Sequence, residues 1–315
     1  MREGILHTTY SIVARDPETG DFGAAVQTHQ MCVGPHVLWL DAGVGAVATQ
    51  SLTNLHFGPI GLSMLKEGVP ADRVIAALST SDKDADLRQV AVVDRNGISS
   101  AWTGKKCIAF AGHHIGEGYS VQANLMAKDS VVAAMAQAYE ATQGDLAQRM
   151  LAALEAAQAE GGDLRGMQSA ALKVVPGAVP QSGMQAVEAR YDLRVDEHEA
   201  PLKELARLVR LTRAQQIDEE GSRLVTDGKV EAGMASWARA RELAPELEEL
   251  LFWQALTLAD DGNDPAGAAV ILAEMLDGEP RREHWLDLVE RVAGSGLLER
   301  KNAGTELLEA LRIKN

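Results

Sequence analysis

The sequence predicts an α+β domain followed by an all-helical domain. In residues 1–125, short apolar segments are separated by glycine turns, as is typical of strands. Apolar residues then recur at helical spacing from Ser130, strand patterns return between residues 167 and 195, and none follows Pro201. Because strands and helices come in separate runs and do not alternate, a layered α+β structure is favoured over a parallel α/β sheet.

The first half of the N-terminal domain is predicted to be mostly strand. TYSIVARD at 9–16 and FGAAVQT at 22–28 flank a turn at 17–20 and predict a hairpin. A run of small apolar residues at 44–49 is typical of a strand buried on both faces. Two helices are predicted at 59–67 and 70–78, and further strands at 89–93, 99–103, 107–111 and 120–122.

Helices dominate the remainder of the chain. Two are predicted at 131–139 and 146–154, strand patterns follow at 167–175 and 189–195, and residues 202–314 are rich in Ala, Leu and Glu. The 34-residue period of tetratricopeptide repeats aligns Gly228 with Gly262 and Ala232 with Ala266, and with Trp237 it indicates a resemblance to such repeats. An ordinary helical bundle is the alternative, since two copies are few for a period.

Charge and composition exclude several classes of function. The net charge is −15, with an acidic excess in both halves of the chain, and such a field repels phosphate backbones and anionic lipid. Aromatic residues make up only 4% of the chain, too few for a base-stacking platform. No apolar run approaches the roughly 20 residues that cross a bilayer. We therefore expect neither nucleic acid nor membrane among the partners.

The start of the chain, MREGILHTTYS, lacks the apolar stretch of a secretory signal, so a cytoplasmic location is expected. The two cysteines, Cys32 and Cys107, fit a reducing compartment. Cys32 lies close in sequence to His29 and His36, and a Cys–His nucleophile pair is one interpretation of this segment. A small buried side chain is the commoner use of a lone cysteine.

Common cofactor and metal motifs do not occur in the sequence. TGKK at 103–106 lacks the leading glycine and the Ser or Thr of a P-loop, GVG at 43–45 lacks the third glycine of a dinucleotide site, and neither GxSxG nor HExxH occurs. His113 and His114 are adjacent, so on a strand they would face opposite sides and would not share one metal. We expect no cofactor and no metal, and interpret the two histidines as exposed loop residues.

The densest polar cluster is GGDLRGMQS at 161–169. Its glycines permit a tight turn, Asp163 and Arg165 are placed to form an ion pair, and Gln168 and Ser169 present hydrogen-bonding groups at the start of a strand. The pattern suits a substrate-binding loop. A helix C-cap followed by a surface turn is the alternative.

Thr8 and Thr9 stand directly before the first predicted strand. A chain that begins with threonine can use its hydroxyl as nucleophile and its own α-amine, with a pKa of about 8, as base. On pattern alone, two threonines at this position indicate β-propensity and nothing more.

Several motifs taken together resemble the domain-of-unknown-function family numbered 1028. They span residues 9 to about 201, and the most specific of them is GGDLRGMQSAA. The set comprises 9–16 (TYSIVARD), 19–23 (TGDFG), 42–50 (AGVGAVATQ), 88–89 (RQ), 93–94 (VD) and 161–171 (GGDLRGMQSAA).

That resemblance implies the fold of N-terminal nucleophile (Ntn) hydrolases, a four-layer αββα sandwich in which two antiparallel sheets lie between helical layers. It also implies amide-bond hydrolysis, without an established substrate. Family members often begin at the threonine that matches Thr9, whereas eight residues precede it here. The terminal-amine mechanism therefore requires that these residues be removed or that the chain start further downstream.

We expect an Ntn-hydrolase-like domain at 1–200 and a helical, tetratricopeptide-like domain at 201–315. In the expected mechanism the Thr9 hydroxyl attacks the carbonyl of a small amide or peptide, and Ser11, on the same strand face, is the fallback nucleophile. The remaining expected site residues are oxyanion donors from a loop between Gln50 and Asn54 or from Asn124, and substrate-binding groups on Asp163, Arg165, Gln168 and Ser169.

A non-catalytic alternative stays open. In it the N-terminal domain binds a small molecule or peptide, and the helical region docks a protein partner or a second copy of the chain. An unprocessed N-terminus would favour this alternative.

Overall fold

A computed structural model describes residues 5–179 and 189–314, with the backbone alone at residues 5–7 and 314. Residues 1–4, the first half of the segment that precedes Thr9, lie outside the described residues. The chain forms two compact units, Met1–Val209 and Arg210–Asn315. The division falls inside a helix, whereas the boundary expected from the sequence, at 200/201, falls where that helix begins.

The N-terminal unit is built on two antiparallel sheets, whose described strands are β1 (Ile5–His7), β2 (Thr9–Arg15), β3 (Phe22–Thr28), β4 (Leu38–Asp41), β5 (Gly45–Thr53), β6 (Arg88–Asp94), β7 (Ser99–Thr103), β8 (Gly112–Gly116), β9 (Tyr119–Ala123), β10 (Ser169–Val175) and β11 (Tyr191–Val195). Sheet I has the order β1-β5-β6-β7, with β4 also paired to β5. Sheet II has the order β11-β10-β3-β2-β9-β8. The predicted hairpin is confirmed as β2–β3, in which Thr9 pairs with Thr28.

The described helices are α1 (Gly34–Val37), α2 (Phe57–Lys66), α3 (Ala71–Ser81), α4 (Val131–Ala141), α5 (Leu146–Ala159), α6 (Pro201–Thr226), α7 (Val230–Leu243), α8 (Glu248–Asp260), α9 (Pro265–Leu276), α10 (Arg282–Ser295) and α11 (Ala303–Lys314). Both helix pairs predicted in the N-terminal unit are confirmed, and so is the all-helical character of the region after Pro201. Together with the two sheets, these helices confirm an α+β unit followed by an all-helical one.

Two sequence-based expectations of local structure, one strand and one loop, were wrong. Residues 107–111 form no strand, because their backbone serves the neighbouring loop: Leu125 N–H donates to the carbonyl of Ile108, and Met126 N–H donates to that of Phe110. Strand β8 begins only at Gly112. The expected loop between Gln50 and Asn54 is strand as far as Thr53, since β5 pairs with β1 there.

Alternate side chains of the inner strands enter different apolar clusters, as the pleat requires. Tyr10 and Ile12 of β2 pack with α4 and α5 against one face of sheet II. Val13, on the opposite face, belongs to a cluster between the sheets, together with residues such as Ala46 and Val93 of sheet I. The other face of sheet I packs against α2 and α3. Both sheets are therefore covered on both faces over their central strands.

The C-terminal unit has a core of its own. Trp237 and Phe252 are fully buried and pack with Leu256, Leu272 and other apolar residues of α6 to α11. The Trp237 indole N–H donates to the Asp218 carbonyl. Among the described residues, we find no helix with the length and apolar character that crossing a membrane requires.

Candidate functional site

The chain passes from sheet I to sheet II at Thr8. Before it, β1 pairs with β5, with His7 opposite Ser51; after it, Thr9 begins β2. Thr8 and Thr9 are both completely buried. The peptide bond between them therefore lies in the interior, where the ends of the two sheets meet.

The carbonyl oxygen of Thr8 is held by two donors. Thr28 Oγ1 donates to it at 2.6 Å, and Arg165 Nη2 donates to it at 2.9 Å. Arg165 is held in turn by Asp163 through two contacts, Nε to Oδ1 at 3.1 Å and Nη2 to Oδ2 at 2.8 Å. The Asp163 side chain is completely buried, whereas about a third of the Arg165 side chain is exposed. A hydroxyl and a fixed cation thus polarise one buried peptide carbonyl.

The glycine-rich loop has the tight turn that its sequence suggests. Gly161 and Gly162 have φ angles of +108° and +57°, a region that glycine adopts without strain. A Cβ at Gly162 would lie 2.5 Å from Gln158 Oε1, so the Gln158 side chain would have to move to accept any other residue there. Asp163 forms an isolated bridge with Met126, which docks the loop beside the end of β9. The turn therefore delivers Asp163 and Arg165 to Thr8.

Gln168 and Ser169 connect this loop to its surroundings in a different way. Gln168 uses its backbone N–H, which donates to the Thr28 carbonyl at 3.0 Å. The buried Ser169 hydroxyl donates to the Gln30 carbonyl and accepts from the Val33 N–H. Their hydrogen bonds thus hold the strand ends around Thr28 and the segment 30–33.

Five polar side chains from the two sheets meet between them and form what we call the amide cluster: Ser11, Gln50, Gln89, Gln122 and Asn124. All five are completely buried. Ser11 Oγ donates to Gln50 Oε1 and accepts from Gln122 Nε2, both at 2.6 Å. Gln89 Oε1 accepts from Gln50 Nε2 at 2.7 Å and from Asn124 Nδ2 at 2.9 Å. The cluster ties sheet I to sheet II beside Thr9.

The amide cluster holds Thr9 by its main chain. The Thr9 carbonyl oxygen accepts from the Asn124 backbone N–H at 3.0 Å, from Gln50 Nε2 at 3.3 Å and from Asn124 Nδ2 at 3.4 Å. The side-chain hydroxyls of Thr8 and Thr9 are buried and have no hydrogen-bond partner among the described residues. The arrangement fixes the Thr9 backbone and leaves its hydroxyl uncommitted.

A chain of hydrogen bonds leads from the amide cluster to the surface. Gln89 Nε2 donates to Thr103 Oγ1 at 2.9 Å, and Thr103 Oγ1 lies 2.8 Å from His113 Nδ1. Burial, with a smaller contribution from neighbouring His114, lowers the pKa of His113. Both histidines lie on β8, against the expectation of a loop, and they line a cavity of about 340 Å³ with Phe110 and Met126 among the other lining residues.

Asn54 belongs to another group of side chains. Its Nδ2 donates to Asp82 Oδ2 at 2.9 Å, and Asp82 also receives Arg88 Nε at 2.9 Å. Burial opposes ionisation of Asp82, but hydrogen bonds from Asn54, the Asp84 N–H and Arg88, with the charge of Arg88, lower its pKa. Both side chains of the Asp82–Arg88 pair are more than nine-tenths buried. The group stabilises the end of β5.

Cys32, the other nucleophile considered from the sequence, has a different environment from Thr9. Cys32 has a φ of +56°, and its N–H donates to the Asp196 carbonyl. His29 Nδ1 lies 3.2 Å from the Met167 carbonyl oxygen. The side chains of the described residues include no group of three His, Cys, Asp or Glu that could hold a metal ion.

Residues 9–205 match a family model described as the family of unknown function DUF1028. The match covers more than half of the chain and contains the Thr8 carbonyl's donors and the amide cluster. The chain belongs to this family.

A solved DUF1028 structure resembles the chain as well. The crystal structure of protein SPO2555 from Silicibacter pomeroyi is 30% identical, with a TM-score of 0.57, and the alignment covers 64% of this chain and 87% of that one. No curated protein matches the chain. The DUF1028 match ends at residue 205, so it does not extend over the helical unit.

Sequence reasoning missed three residues of the candidate site. Thr28, Gln89 and Gln122 were not expected there, although Thr28 holds the Thr8 carbonyl and the two glutamines complete the amide cluster. A signal for the glutamines does exist: each is the only amide side chain of its strand, in RQVAVVD and YSVQA. Most buried side-chain amides have a hydrogen-bond partner, so a lone amide in a buried strand indicates a polar neighbour.

Proposed function

We propose that the N-terminal unit is an amide-bond hydrolase in which Thr9, freed as an N-terminal residue, is the nucleophile. One observation carries the proposal: the carbonyl oxygen of Thr8 is held by Thr28 and Arg165, and the hydroxyl of the next residue is buried without a partner. This is the geometry needed to develop negative charge on a carbonyl oxygen next to a nucleophile.

The layer order supports the finer assignment to an Ntn-hydrolase-like αββα sandwich. Helices α2 and α3 pack on sheet I, α4 and α5 pack on sheet II, and a third apolar cluster lies between the sheets. Thr9 starts an inner strand of sheet II, at the polar end of that space. A nucleophile there is buried where the two sheets meet.

The first reaction is removal of residues 1–8. The Thr9 hydroxyl oxygen attacks the Thr8 carbonyl carbon, and the resulting oxyanion accepts from Thr28 Oγ1 and Arg165 Nη2. The C–N bond to Thr9 then breaks, and the hydroxyl proton ends on the Thr9 nitrogen, which leaves an ester between Thr8 and the Thr9 side chain. One water hydrolyses that ester, releases residues 1–8 and restores the hydroxyl beside a free α-amine.

Turnover of substrate repeats the same chemistry. The α-amine of Thr9, with a pKa of about 8, takes the hydroxyl proton as Oγ attacks the substrate's amide carbonyl. The leaving amine takes a proton from the resulting ammonium, and water hydrolyses the acyl ester. Because the donors to Thr8 remain in place after residues 1–8 leave, Thr28 and Arg165 serve both reactions.

The other expected site residues receive distinct roles. Gln50 and Asn124 position Thr9 through its carbonyl oxygen, and Asp163 orients the Arg165 guanidinium. Ser11 is engaged on both sides by amides, so it is a poorer nucleophile than Thr9. The all-helical unit is assigned to interaction with a protein partner or a second copy, through tetratricopeptide-like stacking of its helices.

The second candidate function is non-catalytic binding. It is favoured by the complete burial of Thr8 and Thr9. In that case the donors to Thr8 have a structural role, and β1 keeps its place beside β5.

An electrophilic β-lactone distinguishes the two functions without knowledge of the substrate. We expect it to acylate the purified protein once, on a peptide that begins at Thr9, and to leave the Thr9→Ala variant unlabelled. Labelling elsewhere, or equal labelling of both proteins, would remove Thr9 from the mechanism.

A further inference from the structure

We propose that the acyl part of the substrate is an extended peptide that adds to the edge of β5 in the place of β1, with a small uncharged residue before the scissile bond. The chemistry at that bond rests on the proposed function, whereas the binding mode rests on main-chain pairing and burial.

Strand β1 lies where the acyl part of a substrate would lie. Residues 5–8 lie on the acyl side of the Thr8–Thr9 peptide, and β1 pairs antiparallel with β5 through Ile5 opposite Thr53, Leu6 opposite Leu52 and His7 opposite Ser51. A substrate attacked by Thr9 must present its carbonyl where the Thr8 carbonyl lies. Its preceding residues then run along the same path.

Removal of residues 1–8 opens a strand edge at that place. On this edge of β5, β4 covers Gly45–Ala48 and β1 covers Ser51–Thr53, while β6 covers the opposite edge. Once β1 leaves, Leu52 and Thr53 lose their strand partner, and Ser51 keeps only its pairing with Arg88 of β6. An exposed edge of this kind binds extended peptides through main-chain hydrogen bonds.

The side chain before the scissile bond is enclosed by the protein. Thr8 is completely buried, and its hydroxyl has no hydrogen-bond partner among the described residues. Because the hydroxyl gains nothing there, valine, which has the same shape, fits as well as threonine. A lysine would bring a charge that this space does not compensate.

The test separates binding from catalysis by using the full chain with Thr9→Ala, which can neither mature nor turn over substrate. In one protein Leu6→Pro and His7→Pro remove the backbone N–H groups of β1; in its matched control Leu6→Ala and His7→Ala keep them. The probe is acetyl-Ile-Leu-His-amide, which ends before the space that Thr8 itself fills in both proteins, and its affinity is measured by calorimetry. Hydrogen exchange of the protein's backbone amides shows where the peptide binds.

We expect the peptide to bind the proline protein at least tenfold more tightly than the alanine control, because only the control keeps β1 on the edge. Exchange at Ser51–Thr53 slows on binding. The residue before the scissile bond is tested within the chain that keeps Thr9: Thr8→Val changes the rate at which residues 1–8 are removed by no more than about threefold, whereas Thr8→Lys slows it at least tenfold. The same peptide N-methylated at its Leu and His nitrogens no longer binds, because it keeps the side chains and loses the donors.

Equal affinity for the proline and alanine proteins, equal binding of the N-methylated peptide, or no binding at all would overturn the proposal. If circular dichroism shows that the prolines unfold the unit, Leu6→Gly with His7→Gly replaces them and an intermediate affinity is expected. Failure of the proposed function has a different readout, an unlabelled Thr9 in the wild-type protein. Peptide binding with an unlabelled Thr9 would leave a peptide-binding module.

Discussion

Arg165 Nη2 lies 2.9 Å from the carbonyl oxygen of Thr8, although 157 positions separate the two residues. A glycine turn after α5 and the ion pair with Asp163 produce this contact. It places a fixed cation on the carbonyl that precedes Thr9, and the proposed chemistry depends on it.

Thr28→Val tests the second donor to that carbonyl. The variant keeps the shape of the side chain and removes the hydroxyl that donates to Thr8 at 2.6 Å. Loss of one oxyanion donor typically costs about 10²–10³ in rate, so removal of residues 1–8 should slow by that factor. The rate is followed by intact mass after synthesis. Thr28→Ser, which keeps the hydroxyl, should mature at nearly the wild-type rate; a valine variant that matures equally fast would exclude a role for Thr28.

Two buried glutamines form a matched pair for testing the amide cluster. Gln89 accepts from Gln50 and Asn124, so Gln89→Leu leaves buried donors without an acceptor and should lower the free energy of unfolding by about 1–3 kcal/mol. Gln27 is equally buried, but its side-chain amide has no hydrogen-bond partner among the described residues. Gln27→Leu should therefore be neutral or stabilising. Urea unfolding gives the free energy of unfolding of both variants. A larger loss for Gln27→Leu than for Gln89→Leu would contradict the network.

The hairpin β2–β3 and the helices could be predicted from the sequence because their patterns are local. The turn at residues 161–166 could also be predicted, since closely spaced glycines flank Asp163 and Arg165. The partners of Asp163 and Arg165 could not be predicted. Thr8 and Arg165 meet only because two sheets stack, and no local pattern encodes which strand ends face each other. The strand predicted at residues 107–111 was wrong for the same reason, because carbonyls of this segment accept hydrogen bonds from the distant loop at 125–126.

The buried pair of Asp82 and Arg88 predicts a pH dependence of stability. The pKa of Asp82 is lowered in the folded protein, so this carboxylate stabilises the fold above its unfolded pKa of about 3.9 and ceases to do so as the pH falls through the folded pKa. Asp82→Asn should cost about 3 kcal/mol at pH 7, because it leaves Arg88 buried without a counter-charge. The thermal midpoints of the wild-type protein and of Asp82→Asn should converge as the pH falls from 7 to 2.5. A difference between their midpoints that stays constant over this range would contradict the prediction.

Helix α6 sets where the N-terminal unit can be truncated. Leu202, Leu205 and Val209 are each at most 5% exposed and pack in the same apolar cluster as Tyr10 and Leu172. A chain that ends at Pro201 loses all three, at about 1.5–3 kcal/mol each, and should precipitate. A chain that ends at Arg213 keeps them and should stay folded, mature normally and react with the β-lactone. Equal solubility of both truncations would show that α6 is dispensable for this unit.

The intact mass of the purified wild-type chain, compared with that of Thr9→Ala, tests the central claim most directly. If Thr9 is the nucleophile that cleaves its own preceding peptide bond, the wild-type mass corresponds to a chain that begins at Thr9, and the alanine variant retains residues 1–8. Thr9→Ser should still mature. A wild-type protein that keeps residues 1–8, or an alanine variant that loses them at the wild-type rate, would contradict the account.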